Sequence, residues 1–243
     1  MGMDTKALRT FQYGLYLLSA VDEGGREVGC VVNTGMQLTS RPYRVMVAVN
    51  HDNVTYAAIK RTRRFALTTL SREADMGLIG GFGFRHSDAA DKFAGLDVDH
   101  TPAGLPYVCT AAAAVVECAV VTALDAGSHE VFVGEVTDAR VIDPKAEPLT
   151  YAYYHDVLRG TTPPAASAFI ADEPVPAAGP TPAVSEAAAE PAPAPAAPAE
   201  SGAKHHFKCN LCGYVYETAD DELPDDFRCP MCGAAKSMFS KLD

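Results

Sequence analysis

Four of the chain's seven cysteines fall in the segment 204–243, as Cys209-Asn210-Leu211-Cys212 and Cys229-Pro230-Met231-Cys232. Two residues between cysteines let both thiolates of one turn face a single ion, and two such turns supply the tetrahedral four-sulfur shell that suits zinc or iron. A disulfide pair or plain buried thiols explain a cysteine count but not this closed pattern. Gly213 and Gly233 follow the two pairs. Glycine permits the positive φ that turns the chain back and aims amide N–H groups at sulfur. Spacing alone leaves both metals open.

The surrounding residues narrow the choice. Cys212-Gly213-Tyr214-Val215-Tyr216-Glu217, and Leu223-Pro224-Asp225-Asp226-Phe227-Arg228-Cys229-Pro230-Met231-Cys232-Gly233-Ala234-Ala235-Lys236 with Phe239, resemble rubredoxin. The resemblance implies one iron, cycling between ferric and ferrous, held by Cys209, Cys212, Cys229 and Cys232. The segment between the two turns is shorter than in free-standing rubredoxins, and the chain has no tryptophan. In this it is similar to rubredoxin modules built into larger redox proteins. Tyr214, Tyr216, Phe227 and Phe239 supply aromatic packing for a domain too small to hold together without its metal. A structural zinc ribbon is the alternative.

A second group of chemistry-bearing residues lies near the start. Asn33 and Thr34 close an apolar run, Gln37 follows, and Asn50, Asn53 and Thr55 stand where another apolar run gives way to a helical period. Such residues supply side-chain donors, free N–H groups and a helix dipole for a phosphate, or they are turn and N-cap chemistry. The elements that must position them are mostly strands. Phe11–Val21 and Glu27–Asn33 flank the turn Glu23-Gly24-Gly25, and Arg44–Asn50 is a third strand. Asn53–Thr62 reads as a helix, Phe65–Leu70 as strand, and Ala74–Lys92 as a helix broken by glycine. Ala111–Leu124 and Val131–Ile142 face each other across Asp125-Ala126-Gly127-Ser128, a long hairpin. The fold class is mainly β with helical inserts (α+β), an antiparallel barrel. No glycine-rich phosphate loop of the Rossmann or Walker type follows a strand.

Residues 12–70, with Gly80-Gly81-Phe82-Gly83-Phe84-Arg85-His86-Ser87, Asp91-Lys92-Phe93 and Glu147-Pro148-Leu149-Thr150-Tyr151-Ala152-Tyr153-Tyr154-His155, resemble the flavin reductase-like, FMN-binding split-barrel family. The resemblance implies FMN as cofactor and NAD(P)H as electron donor. Asn33, Thr34 and Gln37 would edge the isoalloxazine ring, and Asn50, Asn53 and Thr55 would hold the ribityl phosphate end. Arg85, His86, Ser87 and Lys92 would either complete the phosphate site or meet a pyridine nucleotide. Tyr154 and His155 belong either to packing or to the flavin pocket wall. No catalytic acid or base is assigned, because a flavin takes hydride at its own ring nitrogen and the protein supplies orientation and electrostatics. Sites of this family lie at a dimer interface, so a homodimer is implied.

The domain division is 1–160 for the split barrel, 161–203 for an Ala/Pro-rich flexible linker and 204–243 for the rubredoxin-like domain. From Glu173 to Ala203 the chain is almost wholly Ala and Pro with scattered Glu, and cannot bury a core. The formal charge of −11 divides as −4 over 1–160 (15 basic, 19 acidic), −5 over 161–203 (5 acidic) and −2 over 204–243 (5 basic, 7 acidic). Nucleic acid is thereby an unsuitable partner, since phosphate binding needs clustered positive charge. No apolar run reaches membrane-spanning length and no basic-then-apolar leader is present, which with the unpaired look of Cys30, Cys109 and Cys118 places the protein in the cytoplasm.

The two resemblances together describe a two-electron centre joined to a one-electron centre, similar to the fused high-molecular-weight rubredoxins. They imply NAD(P)H oxidation at FMN, single-electron passage through the iron, and a redox-protein acceptor, with a flavodiiron O2/NO reductase suggested. Two other readings stand beside this one: a flavin reductase that releases free reduced flavin, and a flavoprotein that recruits a partner through structural zinc.

Overall fold

The computed structural model describes residues 4–84, 91–170, 205–209, 215–218, 220–224, 227, 229 and 235–242. A short 3-10 helix, Thr5–Thr10, precedes the barrel strands β1 (Tyr16–Val21), β2 (Glu27–Val32), β3 (Met36–Ser40), β4 (Tyr43–Asn50), β5 (Arg64–Leu70), β8 (Ala112–Asp125) and β9 (His129–Val141). They form one antiparallel sheet in the order β2-β1-β5-β8-β9-β4-β3. Between them lie α1 (Val54–Thr62), α2 (Met76–Gly83) and the small hairpin of β6 (Val98–His100) and β7 (Pro106–Val108); α3 (Tyr151–Asp156) follows β9.

The sheet curls because its two ends share one core. Val28, Cys30 and Val32 of β2 pack in the same cluster as Val45, Val47 and Val49 of β4, around the fully buried Phe65 and Phe132. Across the gap between those strands, Thr34 stitches the end of β2 to β4: its hydroxyl donates to Ala48 O at 3.3 Å and accepts from Ala48 N at 3.2 Å. Alternation along β1 sends Leu18 into this core and Leu17 to the opposite face, where Ile79 and Phe82 of α2 and Tyr154 of α3 cover it. Gly134 on β9 lets the strand pass close over Phe65, since a Cβ there would sit 2.9 Å from the Phe65 ring and 2.6 Å from the Cys118 Cβ.

The expected elements are present with shifted ends. The hairpin of the two longest strands closes as expected, with Gly127 at φ 91° and its N–H donated to Asp125 Oδ1 at 2.8 Å. The first strand begins at Tyr16 rather than Phe11, because residues 5–10 wind into a 3-10 helix capped by Asp4. Among the described residues the helix in 74–92 covers Met76–Gly83, started by Asp75, whose Oδ1 accepts from Leu78 N at 2.7 Å. Strand β3 falls inside a stretch read as polar site residues. All five of its residues are exposed.

In the C-terminal segment, β10 (His205–Cys209) is the middle strand of a three-stranded sheet, between β11 (Val215–Thr218) and β12 (Phe239–Leu242). Phe227 joins the sheet's aromatic set, 4.7 Å from Tyr216 and 5.2 Å from Phe239 between ring centroids. No helix among the described residues is long and apolar enough to cross a membrane.

Candidate functional site

The end of β2, the end of β4 and the start of α1 converge on a narrow cleft of about 80 Å³. Its polar wall is Asn33, Asn50, Asn53 and His129; its apolar wall includes Val31, Val32, Ile79 and Phe84.

Three of the six expected flavin contacts are therefore brought together. Asn33 is buried at the end of β2, 6% exposed, and its Nδ2 has no hydrogen-bond partner among the described residues. A buried unpaired amide donor costs about 1–3 kcal/mol, so an acceptor arriving in the cleft would recover that cost. Asn50 is turned by its own backbone, its Oδ1 accepting from Asp52 N at 2.9 Å, while its Nδ2 donates to Ala165 O at 3.1 Å. Asn53 is both cleft wall and N-cap of α1, its Oδ1 accepting from Thr55 N at 2.9 Å.

The other three stand apart from the cleft wall. Thr34 spends its hydroxyl on Ala48. Gln37 lies on the exposed edge strand β3, its Nε2 donating to Thr39 O at 3.2 Å. Thr55 is fully buried under the helix start, and its Oγ1 has no partner among the described residues. Lys92 points its ammonium into the barrel wall, donating to Gly29 O at 2.9 Å and Phe82 O at 3.1 Å. Arg85, His86 and Ser87 lie outside the described residues.

Tyr154 lines the cleft, and Tyr151 lines it beside Tyr154, their rings stacked at 5.8 Å. His155 is not part of that wall; it holds the following chain, its Nδ1 donating to Gly160 O at 2.8 Å. Two contributors were not foreseen. One is His129, on the turn of the long hairpin; burial holds it below the ordinary histidine range, opposed by its bond to the Ala165 carbonyl and reinforced by the neighbouring His51 charge. The other is the chain just past the barrel: Thr161, Pro163, Ala165, Ala166 and Ser167 line the cleft, and the Ser167 hydroxyl donates to Asn33 Oδ1 at 2.7 Å. Neither announces itself by spacing, because Asn33 and Ser167 are 134 residues apart. Cys30 also borders the cleft; burial pushes its thiol up, partly offset by the Lys92 charge.

At the second site, Cys209 ends β10 fully buried and Cys229 is 2% exposed. Cys212, Cys232, Gly213, Gly233 and Tyr214 lie outside the described residues, as does the linker from residue 171 to 203. Two buried thiols backed by Phe207, Leu223 and the Tyr216–Phe227–Phe239 aromatic set fit a thiolate-held metal, for which soft sulfur donors in a dry shell are suited.

Comparison with known proteins agrees with both halves. A family model described as "Flavin reductase like domain" matches residues 8–162, and one described as "Rubrerythrin, rubredoxin-like domain" matches residues 207–240. The chain belongs to the flavin reductase-like family, as a member with a rubredoxin-like domain behind the barrel. It is 37% identical to the high molecular weight rubredoxin of Moorella thermoacetica over 99% of this chain and 100% of that protein. It is also 41% identical to the ferric-chelate reductase (NAD(P)H) of Archaeoglobus fulgidus, over 69% of this chain and 98% of the relative. Among solved structures, a nitrilotriacetate monooxygenase component B homolog from Mycobacterium thermoresistibile superposes with a TM-score of 0.53 at 26% identity, covering 59% of this chain and 76% of the other. The protein is thus a mainly β, flavin reductase-like oxidoreductase fused to a rubredoxin-type electron-transfer module.

Proposed function

We propose that this chain oxidises NAD(P)H at a bound FMN and passes single electrons through a four-cysteine iron to another redox protein, a flavodiiron O2/NO reductase being the acceptor the family resemblance suggests. When bound, the flavin supplies the exchange between hydride and single electrons, and the iron supplies a one-electron store. The residues named above provide the rest. Asn33, with an unpaired buried donor, would take a ring-edge acceptor; Asn50, Asn53 and the N–H groups opening α1 would face the ribityl phosphate end. Tyr151, Tyr154, Ile79 and Phe84 would exclude water from the flavin's flank. Cys209, Cys212, Cys229 and Cys232 would hold the iron.

The observation that carries this reading is the presence, on one chain, of a cleft walled by Asn33, Asn50 and Asn53, with an amide buried and unpaired among the described residues, and of two buried thiols in a paired CxxC pattern. The edge of the sheet supports the homodimer in this reading. β3 is its terminal strand, where Met36 and Leu38 are 58% and 44% exposed, and Tyr43 at the start of the neighbouring β4 is 63% exposed, an apolar edge suited to a second copy. Gln37 lies on that same edge, where it would approach the paired subunit.

The test is metal analysis and the visible spectrum of the purified protein before and after dilution. We expect one iron and one retained FMN per chain. Loss of flavin on dilution would favour a flavin reductase that releases its product, and a zinc-loaded, colourless metal site would remove the electron outlet.

A further inference from the structure

The segment following the barrel, 161–170, would be spacer by composition, yet it is fastened at several points. Tyr154 OH donates to Thr161 O at 3.0 Å, Tyr151 OH meets Thr162 Oγ1 at 2.5 Å, and His155 Nε2 meets the same hydroxyl at 3.2 Å. Because the Gly160 carbonyl can only accept, His155 Nδ1 carries the proton there, which leaves Nε2 to accept from Thr162 in the neutral ring. Pro163 and Pro164 then restrict the backbone, and Ala166 N donates to Pro163 O at 2.9 Å to close a turn. Within that turn and just after it come the two bonds to the expected flavin ligands, Asn50 Nδ2 to Ala165 O and Ser167 Oγ to Asn33 Oδ1.

This segment covers the cleft from outside. Its outer side stays in solvent, with Thr161, Pro164, Ala165 and Ser167 exposed, and its inner side closes the cleft against Asn33, Asn50 and Tyr154. Ser167 also anchors the Asn33 amide. Its hydroxyl donates to Oδ1, which holds the carbonyl end at the strap and leaves Nδ2 buried and without a partner among the described residues.

We propose that residues 161–167 form the roof of the flavin site, with Ser167 a positioning residue that presents the Asn33 donor, and that the tether to the iron domain therefore starts at the flavin itself. This rests on the reading of the cleft as a flavin site. Binding and roof closure are linked, so flavin should order the strap and the strap should hold the flavin, by the same factor.

The experiment uses the full chain in three forms: unaltered, Ser167→Ala, and residues 161–167 replaced by Gly/Ser of equal length. FMN is titrated into each after flavin removal, and hydrogen exchange of the 161–170 peptide is followed with and without FMN. We expect Ser167→Ala to weaken FMN about three- to tenfold, as one hydrogen bond allows, with Ser167→Thr restoring it. The replaced strap should weaken FMN more, and FMN should slow exchange across 161–170 in the unaltered chain. That exchange measurement needs no variant, so it stands even if the replacement misfolds. FMN affinity equal or tighter in both variants, or exchange unmoved by FMN, overturns the roof. Failure of the unaltered chain to bind FMN would instead overturn the cleft assignment beneath it, and the roof with it.

Discussion

Replacing Asn33 by alanine should move two quantities in opposite directions. The side chain is 6% exposed, its Oδ1 takes the Ser167 hydroxyl and its Nδ2 has no partner among the described residues. Removing it loses one hydrogen bond of about 0.5–1.5 kcal/mol and relieves a buried unpaired donor that costs about 1–3 kcal/mol. The flavin-free protein should therefore be as stable as before, or more stable by about 1 kcal/mol. With flavin present the balance reverses, because the same donor then has an acceptor in a dry site. Its loss should cost about 1–3 kcal/mol of binding, roughly 5- to 150-fold in Kd. Urea denaturation of the flavin-free variant and fluorescence titration with FMN measure the two effects separately. A flavin-free variant weakened by more than about 1.5 kcal/mol, with FMN affinity unchanged, would show that Asn33 serves the fold and not the cofactor.

Three further outcomes follow from particular contacts. Glu117, 4% exposed, is pushed up by burial, but bonds from Thr137, Thr101 and Ala103 N and the charge of Arg64 together hold its carboxyl below the ordinary range. A depressed carboxylate stabilises fully above the ordinary glutamate range and loses that contribution as pH falls through its folded value, so Glu117→Ala should cost about 3 kcal/mol near neutrality and less in acid; a pH-independent difference in denaturation midpoints would refute this. Gly134→Ala places a methyl between the buried Cys118 and Phe65, neither free to retreat, and should destabilise the barrel by about 1–3 kcal/mol, read as a lower Tm. Cys209→Ser should leave NAD(P)H oxidation by the flavin largely intact and abolish reduction of acceptors that draw on the iron; parallel loss of both activities in a folded, flavin-loaded variant would contradict separate modules.

What could be read in the sequence was whatever depended on near neighbours in the chain. The paired CxxC turns, the long hairpin across Asp125–Ser128 and the Asn53 cap each need only a few adjacent residues to declare themselves. Strand β3 did not, because Met36-Gln37-Leu38-Thr39 alternates too briefly to stand out from a polar turn. Asn33, Asn50 and Asn53 were placed in one site through a family resemblance, and the structure sets them round one cleft; the same resemblance grouped Thr34 and Gln37 with them, which instead serve a backbone stitch and an exposed edge. His129 and Ser167 reach the cleft only through tertiary folding, and composition disguised Ser167 as spacer.

The central claim, that one chain carries electrons from NAD(P)H through flavin to iron, is tested by mixing the anaerobic, fully loaded protein with NAD(P)H in a stopped-flow spectrometer. The account predicts that the flavin absorbance falls first and the ferric-thiolate absorbance follows to completion, at a rate independent of protein concentration. A flavin that reduces fully while the iron stays ferric would contradict it.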